Sequence, residues 1–225
     1  PGVSIITIED PIEYSIDNVN QIQVNSQTEL TFARGLRSIL RQDPNIIMVG
    51  EVRDEETAGI SVNAALTGHL LLSTLHTNDA STTLPRLLDM KVEPFLIAST
   101  VNVAIGQRLV RKICEHCRKE KKLTDGELES LRKSLPGVLD IKKKTFYYGE
   151  GCEKCGGSGY SGRTGIYEVL EVTPAIKKAI SEQKSSDDIE EIARDEGMTT
   201  MAGDGLRKAE EGITSIEEAL RVMHE

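Results

Sequence analysis

Four cysteines stand in the 225 residues, in two matched pairs: Cys114-Glu-His-Cys117 and Cys152-Glu-Lys-Cys155, with 34 residues between the pairs. Nothing else in the sequence limits the fold as sharply. A C-x-x-C turn lets two thiolates converge on one cation, and two such turns complete a tetrahedral sulfur shell around zinc. The second pair runs into Gly156-Gly157-Ser158-Gly159-Tyr160, residues that tolerate the positive φ of a tight metal-binding turn. Two disulfides or four unrelated thiols are the competing readings. A disulfide framework needs an oxidising compartment, and Pro1-Gly2-Val3-Ser4-Ile5-Ile6 shows neither the basic region nor the cleavage site of a signal peptide. Redox C-x-x-C motifs occur singly. The pattern predicts one structural Zn²⁺ on Cys114, Cys117, Cys152 and Cys155, in a reducing compartment. His116 lies between the first two ligands, but four thiolates suffice.

Charge narrows the function classes. A net charge of −9 and a pI near 5.1 argue against direct nucleic-acid binding, which leaves a basic stripe. Basic residues do gather at Arg108, Arg111, Lys112, Arg118, Lys119, Lys121 and Lys122. Such a patch can meet acidic partners or anionic lipid, and as a rule it is a solvated face. No run approaches the roughly 18–20 apolar residues of a membrane span.

Two textures divide the chain. From Val3 to about Val110, short β-rich runs alternate with helical periodicity, the pattern of an α/β domain. Ser4–Ile8 and Ile46–Val49 fit strands buried on both faces, and Leu70–Thr74 is a third strand. Phe32, Leu36, Ile39 and Leu40 mark one helix face, which Asp43-Pro44 ends. Glu55–Leu66 and Ser81–Met90 read as further helices. From Cys114 onward a lysine-rich insert follows, with a helix over Glu127–Leu135. A helical tail closes the chain, over Ala175–Ser181, Asp187–Asp195, Met201–Glu211 and Ser215–Val222. The beginning, almost directly in a strand, suggests a piece of something longer.

Three polar clusters sit at strand ends in the first part, where open α/β sheets place their ligands. Glu9, Asp10 and Glu13 follow the first strand, and carboxylates so close are costly to hold unless a cation or proton shares them. Ile46-Ile47-Met48-Val49-Gly50-Glu51 is an apolar strand ending in an acid, the Walker B pattern, with Arg53-Asp54 just beyond. Thr67-Gly68-His69 and Thr74-Leu75-His76-Thr77-Asn78 place a histidine at each end of the third strand.

Together the blocks Ile6–Glu13, Leu40–Pro44, Val49–Asp54, Thr67–Leu70 and Thr74–Thr77 resemble the secretion ATPase superfamily, as its Asp box, approach to Walker B, Walker B and His box. Gln107–Lys112, Gly159–Glu168 and Asp204–Lys208 resemble later signatures of that family. The paired C-x-x-C motifs are similar to those of type IV pilus assembly and type II secretion ATPases. Retraction ATPases share the boxes and usually lack the cysteines.

The resemblance implies an α/β fold in three parts. A truncated RecA-like P-loop ATPase core spans residues 1–112, a tetracysteine zinc module 113–158 and a C-terminal helical region 159–225. It implies Glu13 as general base or water-positioning group, Glu51 acting at Mg²⁺ and the γ-phosphate, and His76 sensing that phosphate. Arg53 either stabilises developing charge or locks Glu51. Glu9, Asp10, His69 and Thr77 are implied to face the cofactors, ATP and Mg²⁺. It further implies a homo-hexamer in the cytoplasm at the inner membrane face, associated with the membrane through platform proteins.

One departure is sharp. No G-x-x-x-x-G-K-[ST] occurs, and Gly35, Gly50, Gly59 and Gly68 lack a following Lys-Ser/Thr. The expectation is an ATPase in a longer protein, with this stretch alone inactive. The alternatives are a retraction or DNA-uptake motor, and a non-enzymatic zinc-stabilised interaction domain.

Overall fold

The computed structural model describes residues 2–134 and 144–223. The chain forms two compact units, one of Pro1–Ala104 with Glu171–Ile192, the other of Ile105–Leu170 with Ala193–Glu225. These cuts follow packing, whereas the changes of texture near residues 112 and 158 follow composition.

The first unit is built on a parallel sheet. Strands β1 (Ile5–Glu9), β2 (Asn20–Gln23), β3 (Ile46–Val49) and β4 (Leu70–Ser73) stand in the order β2-β1-β3-β4. All three pairings are parallel, with Ile8 beside Val49 and Val49 beside Ser73. Ile6, Ile8, Ile47 and Val49 are buried, as runs covered on both faces require. Among the described strands β4 is at the sheet edge, so Leu70 and Leu72 remain half exposed despite their apolar character.

Helix α1 (Phe32–Ile39) starts at Thr31, whose side chain accepts from Arg34 N. Leu36 and Ile39 are fully buried. Gly35 lets this helix lie on β1, because a Cβ there would meet Ile8 Cδ1 at 2.1 Å. Helix α2 (Glu55–Leu66) is capped by Asp54 through Thr57 N at 2.8 Å. Helices α3 (Thr83–Asp89) and α4 (Pro94–Thr100) follow.

The second unit begins within β5 (Val103–Ile113), which pairs with the later strand β8. Strand β6 (Arg118–Lys122), helix α5 (Asp125–Ser134) and strand β7 (Thr145–Gly149) come next, with β6 and β7 antiparallel. The helix expected to reach Leu135 is described to Ser134, and Leu135 lies outside the described residues. Strand β8 (Tyr160–Glu171) opens residues 159–225, expected as a C-terminal helical region, and precedes the helices expected there from Ala175 onward. Its period is two: Ile166, Glu168 and Leu170 are buried, and Tyr167 and Val169 are exposed.

Helices α6 (Pro174–Ser181) and α7 (Ser186–Asp195) then follow, with α6 packed on α4 in the first unit. Helices α8 (Met201–Glu210) and α9 (Ile216–Met223) complete the second unit. Its core joins Leu123, Leu128, Leu131, Phe146, Leu206 and Ala209. Val110, Ile166, Met201 and Val222 form a second cluster. Among the described residues no helix is long and apolar enough to cross a membrane.

Candidate functional site

Parallel strands deliver their C-terminal ends to one edge of a sheet. Ile8 pairs with Val49, so the acids after β1 and the Glu51 segment after β3 emerge at that same edge. Gly50 N donates to Ile8 O at 2.7 Å, and Thr74 Oγ1 donates to Gly50 O at 2.7 Å. Val52 N donates to Thr74 O at 2.9 Å. These bonds stitch the end of β4 to the segment after β3 and carry His76 to Glu51.

There His76 Nε2 lies 3.0 Å from Glu51 Oε2. A carboxylate only accepts, so the imidazole donates through Nε2–H. Arg53 Nε donates to the same oxygen. Burial pushes the Glu51 carboxyl up, and the hydrogen bonds from Arg53 and His76 outweigh it, leaving the group below the ordinary glutamate range. The Glu51 side chain is 11% exposed, whereas those of Arg53 and His76 are 61% and 80% exposed. An ionised carboxylate thus holds two side chains that reach solvent.

The other expected residues spread out from this cluster. Glu9 is half-buried, and its Oε1 accepts from Thr7 Oγ1 at 2.5 Å and Gln21 Nε2 at 3.0 Å. Asp10 and Glu13 are exposed in the loop after β1. Thr77 follows His76, its hydroxyl 3.2 Å from that of Thr83. His69 stands at the opposite end of β4, where Nδ1–H donates to Ala64 O at 3.0 Å, so the structure does not bring it to Glu51. Gln21, which no sequence pattern had singled out, contacts Glu9 directly.

The four cysteines meet within the second unit. Their sulfur atoms all lie within 4.8 Å of one another. The Cys114–Cys152 and Cys117–Cys155 separations are 3.9 Å, and Cys152–Cys155 is 3.7 Å. Four sulfurs at about 2.3 Å from a tetrahedral zinc stand about 3.8 Å apart, so the quartet fits that ion. A disulfide would need about 2.05 Å. His116 is exposed and outside the group.

Backbone amides aim at the thiols. Cys152 N and Gly159 N donate to Cys155 Sγ at 3.2 and 3.3 Å, and these bonds draw the Cys155 thiol down to about 6 against the opposing effect of burial. Burial pushes Cys117 up to about 12. A dication would offset that burial and hold all four as thiolates. Gly159 has φ +75°, and its ideal Cβ position is 2.4 Å from Gly149 O, so a side chain there would strike the end of β7.

The basic cluster is largely occupied inside the second unit. Arg108 donates to Val222 O at 2.8 Å, Arg111 binds Glu218, Arg118 donates to Gly212 O at 3.4 Å, and Lys121 pairs with Glu217 at 3.3 Å. It builds structure more than it presents a field.

A parallel-sheet unit with Glu51 at its C-terminal edge, and a second unit that holds four convergent thiols, are the features that the secretion-system motifs in the sequence imply. Residues 1–221 match the family described as Type II/IV secretion system protein, and the chain belongs to it. It is 53% identical, over 98% of its length, to the Type IV pilus assembly ATPase PilB of Thermus thermophilus, covering 24% of that protein. It is 46% identical, over 99% of its length, to Type II secretion system protein E of Pseudomonas aeruginosa, covering 43% of that protein. The chain therefore spans less than half the length of these relatives. Among solved structures, the pilus retraction motor PilT with bound ADP matches 97% of this chain and 52% of its own, with TM-score 0.67 and 30% identity.

Proposed function

We propose that this chain is the part of a motor ATPase, serving type IV pilus assembly or type II secretion, that carries the hydrolytic carboxylates and a structural zinc module. The observation that carries this reading is the Glu51–Arg53–His76 cluster at the C-terminal edge of a parallel sheet. Relatives with 53% and 46% identity are a pilus assembly ATPase and a type II secretion protein, whereas the retraction motor stands at 30%. That difference favours assembly or secretion over retraction or DNA uptake.

The residues fit a nucleotide with Mg²⁺. Both bonds to Glu51 fall on Oε2, and Oε1 takes part in neither, so it suits a hydrated cation. When bound, Mg²⁺ supplies positive charge to the phosphate oxygens. Glu51 keeps the His76 ring with its proton on Nε2, and an incoming phosphate competes for that donor. Arg53 locks Glu51 through Nε, and its two terminal nitrogens take no part in that bond. Glu13, exposed on the loop at the same edge, orients or deprotonates the attacking water. Asp10 and Thr77 line the approach, whereas His69, at the far end of β4, takes no part in this site.

The phosphate-binding loop belongs, in this reading, to the remainder of the longer protein, and these 225 residues alone turn over ATP negligibly. The whole works as a homo-hexamer on platform proteins at the cytoplasmic face of the inner membrane, with no direct contact to nucleic acid. The test is made in the longer protein. Glu13→Gln should lower ATP turnover about 100-fold or more while nucleotide affinity stays within a few fold. Turnover retained within threefold of the parent sinks the assignment of the base.

A further inference from the structure

The loop that carries Glu13 joins two parallel strands, β1 and β2, without a helix to order it. A crossover of this kind ordinarily leaves its backbone groups to water and its conformation open. Here two side chains of β2 take hold of it. Gln23 Oε1 accepts from Ile12 N at 3.3 Å. Gln21 Oε1 accepts from Ile16 N at 2.8 Å, and its Nε2 donates to Tyr14 O at 2.9 Å. The peptide groups held are those of residues 12, 14 and 16, and Glu13 lies between the first two.

The strand geometry explains why both glutamines serve one loop. Residues two apart on a strand share a face, so Gln21 and Gln23 point the same way while Ile22 points the other. Opposite them in the parallel register stand Thr7 and Glu9. Glu9 Oε1 accepts from both Thr7 and Gln21, so the amide that holds the loop is itself anchored to the end of β1. Gln21 uses both ends of its amide. A glutamate would keep an acceptor for Ile16 but lose the donor to Tyr14 and set a second negative charge beside Glu9. A leucine would lose all three bonds.

We propose that Gln21, assisted by Gln23, is a positioning residue for hydrolysis: it fixes the loop that presents Glu13 to the attacking water. The proposal rests on the reading of Glu13 as the group that activates water. A reacting group displaced by about 1 Å loses on the order of 100-fold in rate, so the hold on this loop sets turnover, not nucleotide affinity.

Two measurements decide it. In the 225-residue chain, amide hydrogen exchange compares the parent with Gln21→Leu. Exchange at Ile16 should quicken roughly 5- to 10-fold, the factor carried by one lost hydrogen bond, while Ile8 in β1 keeps its protection. Unchanged exchange at Ile16 overturns the clamp. In the longer protein, Gln21→Leu should lower kcat about 10- to 100-fold with KM for ATP within threefold. Gln21→Glu, which keeps the volume and one bond, should fall between parent and leucine and covers the case of a misfolded leucine variant. Added to Glu13→Gln, Gln21→Leu should cause no further loss, since both act on one group. Multiplying losses, or a kcat within twofold of the parent, overturn the positioning role. An active Glu13→Gln single variant would instead remove the reading of Glu13, and the exchange experiment would still judge the clamp.

Discussion

Two buried glutamates, Glu51 and Glu218, each hold an arginine, and they do so in opposite ways. Glu218, on α9, is 1% exposed, and four protein bonds saturate its carboxylate. Arg111 supplies its backbone N–H at 3.0 Å and Nη2 at 2.6 Å, and Arg221 supplies Nε at 3.1 Å and Nη2 at 2.9 Å. Glu51 is nearly as buried, yet its two bonds converge on a single oxygen, and the side chains making them stand mostly in solvent. The first arrangement ties a helix to a strand. The second keeps a carboxylate ionised at a sheet edge with donors that can turn to a ligand. Burial alone does not tell a structural acid from a chemical one; the number of oxygens engaged and the exposure of the partners do.

The cysteine quartet lies on the structural side of that division, and it carries the largest expected effect. A metal bound by the folded state alone stabilises that state by its binding free energy, about 10–16 kcal/mol in isolated zinc peptides. The second unit also has an apolar core of its own, so we expect removal of zinc to cost on the order of 5 kcal/mol or more. Metal analysis should find one zinc per chain. After chelation, hydrogen exchange should accelerate across β5–β8 while β1 and β3 stay protected. A metal-free sample with full protection in Arg118–Lys122 and Thr145–Gly149 would break the comparison.

What the sequence made legible was local. The spacing of the cysteines and the apolar runs of β1 and β3 are written within a few residues, so they can be read without the fold. Glu51, as the acid that ends an apolar strand, is read from that strand alone. What escaped needed distant partners. Arg111 meets Glu218 across 107 positions, and nothing local to either residue announces the pair. Strand β6 reads Arg-Lys-Glu-Lys-Lys, with no apolar alternation, because its antiparallel partner supplies the buried Phe146. Strand β8 carries a clear period of two at its end, but the glycines at its start obscure it. Nor could a lone sequence reveal that His76 and Arg53 share one oxygen of Glu51.

The middle effect sharpens the contrast through pH. Burial raises the Glu218 carboxyl, and the Arg221 and Arg111 bonds overcome that to bring it to about 2, below the ordinary 4.5. A carboxylate depressed in the folded state stabilises that state above its unfolded value and loses the contribution as pH falls through the folded one. The window is therefore about pH 4.5 down to about 2, with roughly 3 kcal/mol at stake. Glu218→Gln should lower stability by about 2–3 kcal/mol at neutral pH and flatten the dependence in that window. The variant and the parent must be compared in the same zinc state, because acid also protonates the thiolates. Equal acid transitions for the two would show that the saturated carboxylate does no structural work.

The smallest effect is the sharpest test of the division. If Glu51 is kept for chemistry, replacing it should barely touch the fold, although its burial is close to that of Glu218. Glu51→Gln retains the volume and an acceptor for Arg53 and His76, and both partners remain mostly solvated, so no buried cation is stranded. We expect stability within about 1 kcal/mol of the parent, in either direction, by denaturant unfolding. Removing a charge that is held only for a ligand can even stabilise, because such sites trade stability for function. A loss above about 2 kcal/mol would place Glu51 beside Glu218 as a strut. In that case the exposure of Arg53 and His76 would no longer mark a chemical site.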